Sequence, residues 1–218
     1  MLSVREQWIR AFPNSQRDIS KEETDMSVML SKGEKVDLTK NNPTLSKIRV
    51  GLGWDTNQYD GEADFDLDAS VFMLKANGKV GSDKDFVFYG NLAHPSQSVV
   101  HTGDNRTGEG DGDDETIRVE LSKVPVDYEK LVVVVTIYDA DKRLQNFGMV
   151  SNAYIRLIDE NNGEEILRYD LSEDFSTQTA LVIGEIYKHG NDWKFNAVGS
   201  GYNGGLAQLC SAYGIVAN

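Results

Sequence analysis

Short runs rich in Val, Ile, Phe and Tyr recur along this chain from Met26 onward, and Gly, Asn, Asp and Pro separate them. Such runs are typical of β-strands bounded by turns. The longest of them, LVVVVTIY at 131–138, suits a buried strand and is far shorter than the roughly 20 residues that cross a bilayer. Most runs have no helical periodicity between them. The pattern therefore predicts an all-β fold, a two-sheet β-sandwich with a few short helices.

The same pattern of apolar runs predicts the domain organisation. Residues 1–25 are polar and interrupted by Pro13, so we expect an N-terminal extension, partly disordered or containing a short helix. Neither a fixed-period repeat nor a low-complexity linker divides residues 26–218, which we expect to form one domain. Strands are predicted at 28–38, 47–54, 65–74, 85–89, 116–121, 130–138, 153–158, 165–169, 180–188 and 193–198. Short helices are predicted at 142–149 and 205–213.

The cysteine content and the first residues indicate a compartment. Cys210 is the single cysteine among 218 residues, so an internal disulfide and a cysteine metal site are excluded. The first twelve residues alternate charged with isolated apolar side chains and lack the continuous apolar segment of a secretory signal. We therefore expect a cytoplasmic protein without a transmembrane segment.

The acidic residues are concentrated in two short windows. The chain has 35 acidic and 22 basic residues and a net charge of -13. The window 55–68 (DTNQYDGEADFDLD) holds six acids and no base, and the window 103–115 (GDNRTGEGDGDDE) holds six acids and one base. Like charges at such density repel each other, and bound cations would neutralise them. Without a basic face, nucleic acid is not expected as a partner unless a bound cation bridges to phosphate.

Strand periodicity places the first window at the edge of the sandwich. Side chains of a strand alternate between faces, so Asp64, Asp66 and Asp68 point one way, while Phe65 and its alternate neighbours point the other way. Farther along, the acidic face carries Phe72 and Leu74, which belong in a core. The three carboxylates must therefore lie where the strand emerges at the rim, open to solvent and ions.

The second window is a glycine-rich loop that can aim carboxylates and carbonyls at one point. Calcium accepts six to eight oxygen ligands in irregular geometry, magnesium needs stricter octahedral order, and zinc prefers His or Cys, for which the three histidines show no suitable spacing. The sequence thus predicts acidic metal-binding loops for calcium (Ca2+) at one rim. An EF-hand at 104–115 is rejected because position 3 is Arg106 and position 6 is Glu109.

Five ordered segments resemble the tellurite-resistance TerD family: GLGWD at 51–55, ADFDLDAS at 63–70, HTGDNRTGEGDGDDE at 101–115, QNFGMVSNAYIRL at 145–157 and YDLSEDFSTQTALVIGEIY at 169–187. The resemblance implies a cytoplasmic bacterial stress protein that is not an enzyme and binds more than one calcium ion. It also implies complexes with other stress or tellurite-resistance proteins, including a membrane protein, at the inner face of the membrane. The matching acidic positions are Asp64, Asp66, Asp68, Asp104, Asn105, Glu109, Asp111, Asp113, Asp114 and Glu115, with Asp55 and Asp60 as weaker candidates.

The acidic rim and one glycine motif also allow other functions, which the residues disfavour. A metal-dependent enzyme acting on phosphate or sugar-nucleotide substrates at the same rim is the alternative function, disfavoured because no Lys or His nearby offers a general acid. The GxGxxG match at 199–204 lacks room for the second strand of a nucleotide fold, so a sharp turn is preferred. Asp139 and Asp141 could approach the rim as a third loop, but a simple acidic turn is the preferred interpretation. Trp54, Trp193 and the aromatics of 86–89 are expected to pack in the core.

Overall fold

The computed structural model describes residues 28–56, 64–109, 112–171 and 175–215. Within these ranges the chain forms two six-stranded sheets with two short helices, which confirms the predicted β-sandwich. The strands are β1 (Val28–Met29), β2 (Lys35–Asp37), β3 (Lys47–Gly53), β4 (Leu67–Lys75), β5 (Phe86–Val87), β6 (Val99–His101), β7 (Glu115–Glu120), β8 (Tyr128–Ile137), β9 (Tyr154–Asp159), β10 (Glu165–Asp170), β11 (Ala180–His189) and β12 (Asp192–Tyr202). The helices are α1 (Ala140–Arg143) and α2 (Gly205–Tyr213), and three-residue 3-10 turns lie at Asp83–Asp85, Leu121–Lys123 and Phe147–Met149.

The two sheets have distinct strand orders. Sheet one runs β1-β10-β9-β3-β7-β6, and sheet two runs β2-β12-β11-β8-β4-β5. The pair β1 and β10 is parallel, and the other pairings between these strands are antiparallel. Leu67 at the start of β4 pairs with Ile137 at the end of β8, and Leu52 near the end of β3 pairs with Glu115 at the start of β7. These four positions mark one end of the sandwich, called the rim below.

The prediction of one strand over 28–38 is wrong. The chain there forms two short strands, β1 in sheet one and β2 in sheet two. Gly33 separates them with φ of +87°, a left-handed conformation that glycine adopts without steric cost. The Ser31 N–H donates to the Glu34 carboxylate at 2.7 Å and the Glu34 N–H donates to the Ser31 carbonyl at 3.1 Å, which closes the turn. The chain therefore crosses from sheet one to sheet two between β1 and β2.

The predicted helix over 142–149 is also wrong. Helix α1 ends at Arg143 because Leu144 follows in a left-handed conformation, with φ of +54°, and the chain resumes with a 3-10 turn at Phe147–Met149. The second predicted helix is confirmed at Gly205–Tyr213. The short strand β6 was not predicted, because three residues carry too little periodicity to be recognised. None of the helices in the described ranges is long and apolar enough to cross a membrane.

Strand β4 divides its side chains between two apolar clusters. Its residues Leu67, Ala69, Val71 and Met73 pack in the main core between the sheets. The alternate residues, Phe72 and Leu74, pack on the outer face of sheet two against Leu209 and Cys210 of α2. The predicted alternation of β4 is thus confirmed, and a helix covers the outer face over part of its length. Toward the rim, beyond this covered part, the same face carries Asp68.

We predict that Leu209→Ala lowers the free energy of unfolding by about 2–5 kcal/mol. The Leu209 side chain of α2 is fully buried against sheet two, and its truncation leaves a cavity. Chemical denaturation of both proteins measures the difference. The matched control is Ser211→Ala on the exposed face of the same helix, which should change stability by less than about 0.5 kcal/mol. Equal stability of the Leu209→Ala variant and the parent would show that α2 is not a structural part of the domain.

Candidate metal centre

Three carboxylates from two segments of the chain meet at the rim. One oxygen from each of Asp66, Asp68 and Asp104 lies within 4.8 Å of the other two. Calcium–oxygen distances are about 2.3–2.6 Å, so two ligands of one ion can be up to about 4.8 Å apart. Asp68 belongs to β4 of sheet two and Asp66 lies just before this strand, whereas Asp104 lies in the loop that follows β6 of sheet one. These three residues form what is called the acidic cluster below.

The acidic cluster lies at a cavity of about 210 Å³. Asp66 and Asp68 are each only 3% exposed, while Asp104 is exposed at the surface. The remaining walls are the rings of Tyr89 and Tyr138 and the side chain of Arg106. Two of the three carboxylates therefore have little water to solvate them, and an ion could reach all three from the open side.

Glu115 lies beneath the acidic cluster as the first residue of β7. Its side chain is buried, its Oε2 accepts the N–H of Ala69 at 2.7 Å, and the same oxygen lies 3.5 Å from Nε2 of His101. Its other oxygen, Oε1, has no hydrogen-bond partner among the described residues. A fourth carboxylate thus adds to the negative environment of Asp68.

Burial dominates the electrostatics of these carboxylates. It raises the pKa of Asp68 to about 8, and the neighbouring carboxylates of Glu115, Asp66 and Asp104 act in the same direction. Burial also raises the pKa of Asp66, against the opposing effect of Arg143, and raises the pKa of Glu115 despite its contacts with His101 and Ala69. In each case the ionised form is destabilised in the fold, so a bound cation would stabilise it.

Two arginines only partly neutralise the negative charge of the Asp66 carboxylate. The Nη2 of Arg143 lies 3.4 Å from the Asp66 carboxylate, and the Nε of Arg106 lies 3.8 Å from it. Close charge-assisted hydrogen bonds measure about 2.7–2.9 Å, so both contacts are weak. Arg106 is also largely exposed and screened by water. Arg143 is 77 residues from Asp66 along the chain, and its position beside this carboxylate was not predicted from the sequence.

Trp54 joins β3 to both acidic windows. Its backbone N–H donates to Oδ2 of Asp114 at 3.0 Å, and its indole Nε1 donates to the Phe65 carbonyl at 3.0 Å. Gly108 has φ of +72°, and a Cβ atom there would lie 2.6 Å from the indole nitrogen. The prediction that Trp54 is buried is confirmed. Its hydrogen bonds, which fix the approach of the chain to the acidic cluster, were not predicted.

Several predicted site residues shape the second loop. The Asn105 side-chain oxygen accepts the N–H groups of Thr107 and Gly108, and its amide donates to Asp114 at 3.1 Å. Asp114 also accepts the backbone N–H of Trp54, and burial raises its pKa. These contacts hold the loop in a turn that positions Asp104 at the rim.

Asp113 lies over sheet one. Its carboxylate accepts from Nε of Arg156 at 2.7 Å and from the Tyr154 hydroxyl at 3.2 Å. A Cβ at Gly51 would lie 2.3 Å from the Asp113 carboxyl carbon, and one at Gly53 would lie 2.5 Å from the Tyr154 ring. The glycines of the GLGWD segment therefore leave the space that this ion pair occupies.

The remaining predicted ligands lie apart from the acidic cluster or outside the described ranges. Asp55 accepts from the side-chain amide of Asn152 at 2.6 Å, and Asp64 and Glu109 are exposed. Asp60 and Asp111 lie outside the described residues. A ligand role for these five residues stays a prediction.

The two tyrosines at the cavity were not recognised from the sequence. Tyr89 was expected in the core, and this is wrong, since it is 37% exposed beside Asp68. Its ring meets that of Tyr138 edge to face, with centroids 6.1 Å apart. The Arg143 guanidinium lies 5.3 Å from the centroid of the Tyr138 ring. Periodicity could not separate Tyr89 from its buried neighbour Phe86, because both belong to one short aromatic run.

Comparison with known proteins assigns the chain to a family. Residues 26–213 match the family described as TerD domain. General stress protein 16U of Bacillus subtilis (strain 168) is 58% identical, with 87% of this chain and 98% of that protein covered. The tellurium resistance protein TerD of Alcaligenes sp is 58% identical, with 88% of this chain and all of that protein covered. An uncharacterized protein of Bacillus subtilis, YceE, is 60% identical over 87% of this chain and 99% of its own length.

Solved structures agree on the fold. A crystal structure of a homologue of the telluride resistance protein TerD from Streptomyces coelicolor A3(2) superposes with a TM-score of 0.65 at 21% identity, covering 76% of this chain and 95% of that one. A protein of unknown function gives a TM-score of 0.66 at 24% identity, covering 76% and 94%. The sandwich, the acidic rim and the family match over 26–213 lead to one conclusion: the chain belongs to the TerD-domain family, whose named members include tellurium-resistance and stress proteins.

Proposed function

We propose that this chain is a cytoplasmic stress-response protein of the tellurite-resistance type that binds calcium at the acidic cluster and acts as a calcium-dependent interaction module, without catalysing a reaction. The observation that carries the proposal is the convergence of Asp66, Asp68 and Asp104 within the span of one ion's coordination sphere. The names of the relatives, which include tellurium-resistance and general stress proteins, support the physiological context.

The donor set fits calcium. Asp66, Asp68 and Asp104 would hold the ion, and the unpartnered Oε1 of Glu115 lies in the same negative environment. All of these donors are oxygens, which calcium and magnesium prefer and zinc does not. The donors come from a strand and a loop in irregular arrangement, which calcium tolerates better than magnesium because it accepts variable coordination geometry.

Arg143 connects the acidic cluster with an exposed segment that a partner could bind. It contacts the Asp66 carboxylate and the Tyr138 ring, and it is the last residue of α1. The next residue, Leu144, is 83% exposed in a left-handed conformation. A cation at Asp66 would compete with Arg143 for the carboxylate, so calcium would change the contacts of the segment that presents Leu144. Partner proteins at the membrane would bind the segment that has changed its contacts.

The alternative, a metal-dependent enzyme acting on phosphate or sugar-nucleotide substrates, has weaker support. The cavity at the acidic cluster is lined by carboxylates, Tyr89, Tyr138 and Arg106. His101 is buried, its Nε2 lies 3.5 Å from the Glu115 carboxylate, and it does not line this cavity. Turnover of p-nitrophenyl phosphate or a sugar nucleotide with magnesium or manganese would favour the enzyme over the interaction module.

Calcium should bind to the apo protein saturably in titration calorimetry, with magnesium present in large excess. At 100 times the dissociation constant, one such site stabilises the fold by about 2.7 kcal/mol, measurable as a rise in melting temperature. The double variant Asp66→Asn/Asp68→Asn should lose most of this gain, because two of the three charges that attract the ion are removed.

The matched control for the calcium titration is Asp83→Asn/Glu164→Gln, which makes the same charge change at exposed positions outside the acidic cluster. This control should bind calcium as the parent does. Full retention of calcium binding in Asp66→Asn/Asp68→Asn would remove these residues from the site, and absence of calcium heat in the parent would refute the proposed function.

The stability of the calcium-free protein should fall as the pH rises from about 4 to about 8. The pKa of Asp68 is raised to about 8 in the fold, so the folded state holds a proton that the unfolded state releases near its ordinary value of 3.8. The stability that this proton contributes is complete below the unfolded pKa and is lost as the pH rises through the folded pKa. The pKa values of Asp66 and Glu115 are also raised, with the same sign.

Melting temperatures at pH 5, 6, 7 and 8, with chelator and with saturating calcium, measure this dependence. Calcium should flatten it, because the ion stabilises the ionised carboxylates. Asp68→Asn should make the pH dependence shallower without calcium, whereas Asp83→Asn, at an exposed position, should leave it unchanged. A calcium-free stability that is constant or rising over this range would contradict the buried-carboxylate description.

Trp54→Phe should weaken calcium binding several-fold while lowering stability by about 1–2 kcal/mol, because the Phe65 carbonyl loses the indole donor that holds the first acidic window. The control is Trp193→Phe, a buried tryptophan in β12 at the end of sheet two away from the rim. Calorimetry should find weaker calcium binding only in Trp54→Phe. Equal calcium affinities in the two variants would mean that Trp54 stabilises the fold without positioning the ligands.

A further inference from the structure

A second cavity opens beside the acidic cluster, with a volume of about 280 Å³. Asp68 lines both cavities, so the two are adjacent. The other walls are the end of β8, the loop that carries α1, and the N-terminal residues of α2. Sites for drug-sized ligands measure about 300–1,000 Å³, so this cavity suits a small ligand or a single head group.

Thr136 is a buried hydroxyl residue in the wall of this cavity. It is 1% exposed, and its Oγ1 has no hydrogen-bond partner among the described residues. It lies on β8 directly across from Asp68 of β4. A buried hydroxyl without a partner destabilises the fold, so its presence in a cavity wall points to a ligand that supplies the missing hydrogen bond.

The N-terminus of α2 supplies further donors. The Gly204 N–H donates to Oε1 of Gln208 at 3.0 Å, and the Gly205 N–H donates to the Thr179 hydroxyl at 3.2 Å. The next two residues, Leu206 and Ala207, line the cavity, and their N–H groups lie in the first turn, where the helix itself provides no acceptor. Free N–H groups and the helix dipole favour an anion at this position.

The charges of the cavity make anion binding dependent on a cation. Asp139 and Asp141 line it together with Asp68, against one basic residue, Lys142. Lys142 is already paired with both carboxylate oxygens of Asp139, at 2.9 Å each. These carboxylates would therefore repel an anion, and a cation bound at the acidic cluster, which shares Asp68 with this cavity, would offset the repulsion. Anion binding in the second cavity would therefore depend on cation binding in the first.

We propose that this cavity binds the phosphoryl group of a small phosphate ester or a lipid head group, with the Thr136 hydroxyl and the N–H groups of Leu206 and Ala207 donating hydrogen bonds to its oxygens. A phosphoryl group has three terminal oxygens, so it can accept from these donors and still face the neighbouring cation, whereas a carboxylate has two. The inference rests on the proposed calcium site, since calcium is the cation that would offset the repulsion of the anion.

The experiment titrates the calcium-saturated full chain with glycerol 3-phosphate, using calorimetry and the amide resonances of Leu206 and Ala207. Saturable binding with changes in both amide resonances is expected, and replacing calcium by a chelator should weaken binding at least about tenfold. Thr136→Val should weaken phosphate-ester binding roughly fivefold or more, the loss of one hydrogen bond to a charged group. Its calcium affinity should be unchanged, and it should melt no lower than the parent.

The matched control is Ser70→Ala. Ser70 lies on β4, is fully buried and also has a hydroxyl oxygen without a partner among the described residues, but it does not line the cavity. Its removal should leave phosphate-ester affinity unchanged. A second variant, Ala207→Pro, deletes one N–H in the first helical turn, where proline is tolerated, and should also weaken the phosphate ester.

Vesicles of phosphatidylcholine with and without phosphatidic acid identify the source of the phosphoryl group. Calcium-dependent binding to phosphatidic acid that Thr136→Val abolishes would assign a lipid head group, and binding of glycerol 3-phosphate alone would assign a soluble ester. Calcium binding with neither ligand would overturn the inference and leave the proposed function intact. Phosphate-ester binding without any calcium binding would refute the proposed function and the cation dependence together.

Discussion

The rim of this protein is governed by the cost of burying like charges. Asp66, Asp68 and Glu115 are almost inaccessible to water, and the folded chain brings Asp104 to the same place. Water cannot screen these carboxylates, and the nearest guanidinium groups lie beyond close hydrogen-bond reach of Asp66. The main core between the sheets and the outer cluster under α2 must therefore supply the stability that holds this arrangement in the absence of an ion.

The same arrangement explains the GLGWD segment. Gly51 and Gly53 leave space over β3 for the Asp113 ion pair and for Tyr154, and Trp54 holds the two acidic windows through one backbone and one indole hydrogen bond. The acidic residues of the two windows have different structural roles. Asp113 and Asp114 fix the second loop, whereas Asp104 lies where an ion could contact it.

Local periodicity was enough to predict the sandwich, the alternation along β4 and the helix Gly205–Tyr213, because each depends on residues near each other in sequence. It failed at Gly33 and Leu144, where one left-handed residue interrupts a regular pattern. The acidic windows were recognised by composition, but composition could not choose Asp104 among six acids. Nor could it foresee Arg143 or Thr136, since their positions beside the first window depend on the pairing of β4 with β8 and on the loop after β8.

The distribution of the acidic cluster over the two sheets also bears on kinetics. Asp68 lies in β4 of sheet two with Asp66 just before it, and Asp104 follows a strand of sheet one, so an ion held by all three would link the two sheets at the rim. Such a link would require both sheets to be in place, because its ligands come from both. Interactions absent from the folding transition state slow unfolding without accelerating folding. An ion bound at the acidic cluster would then lengthen the lifetime of the native state rather than increase the speed with which it forms.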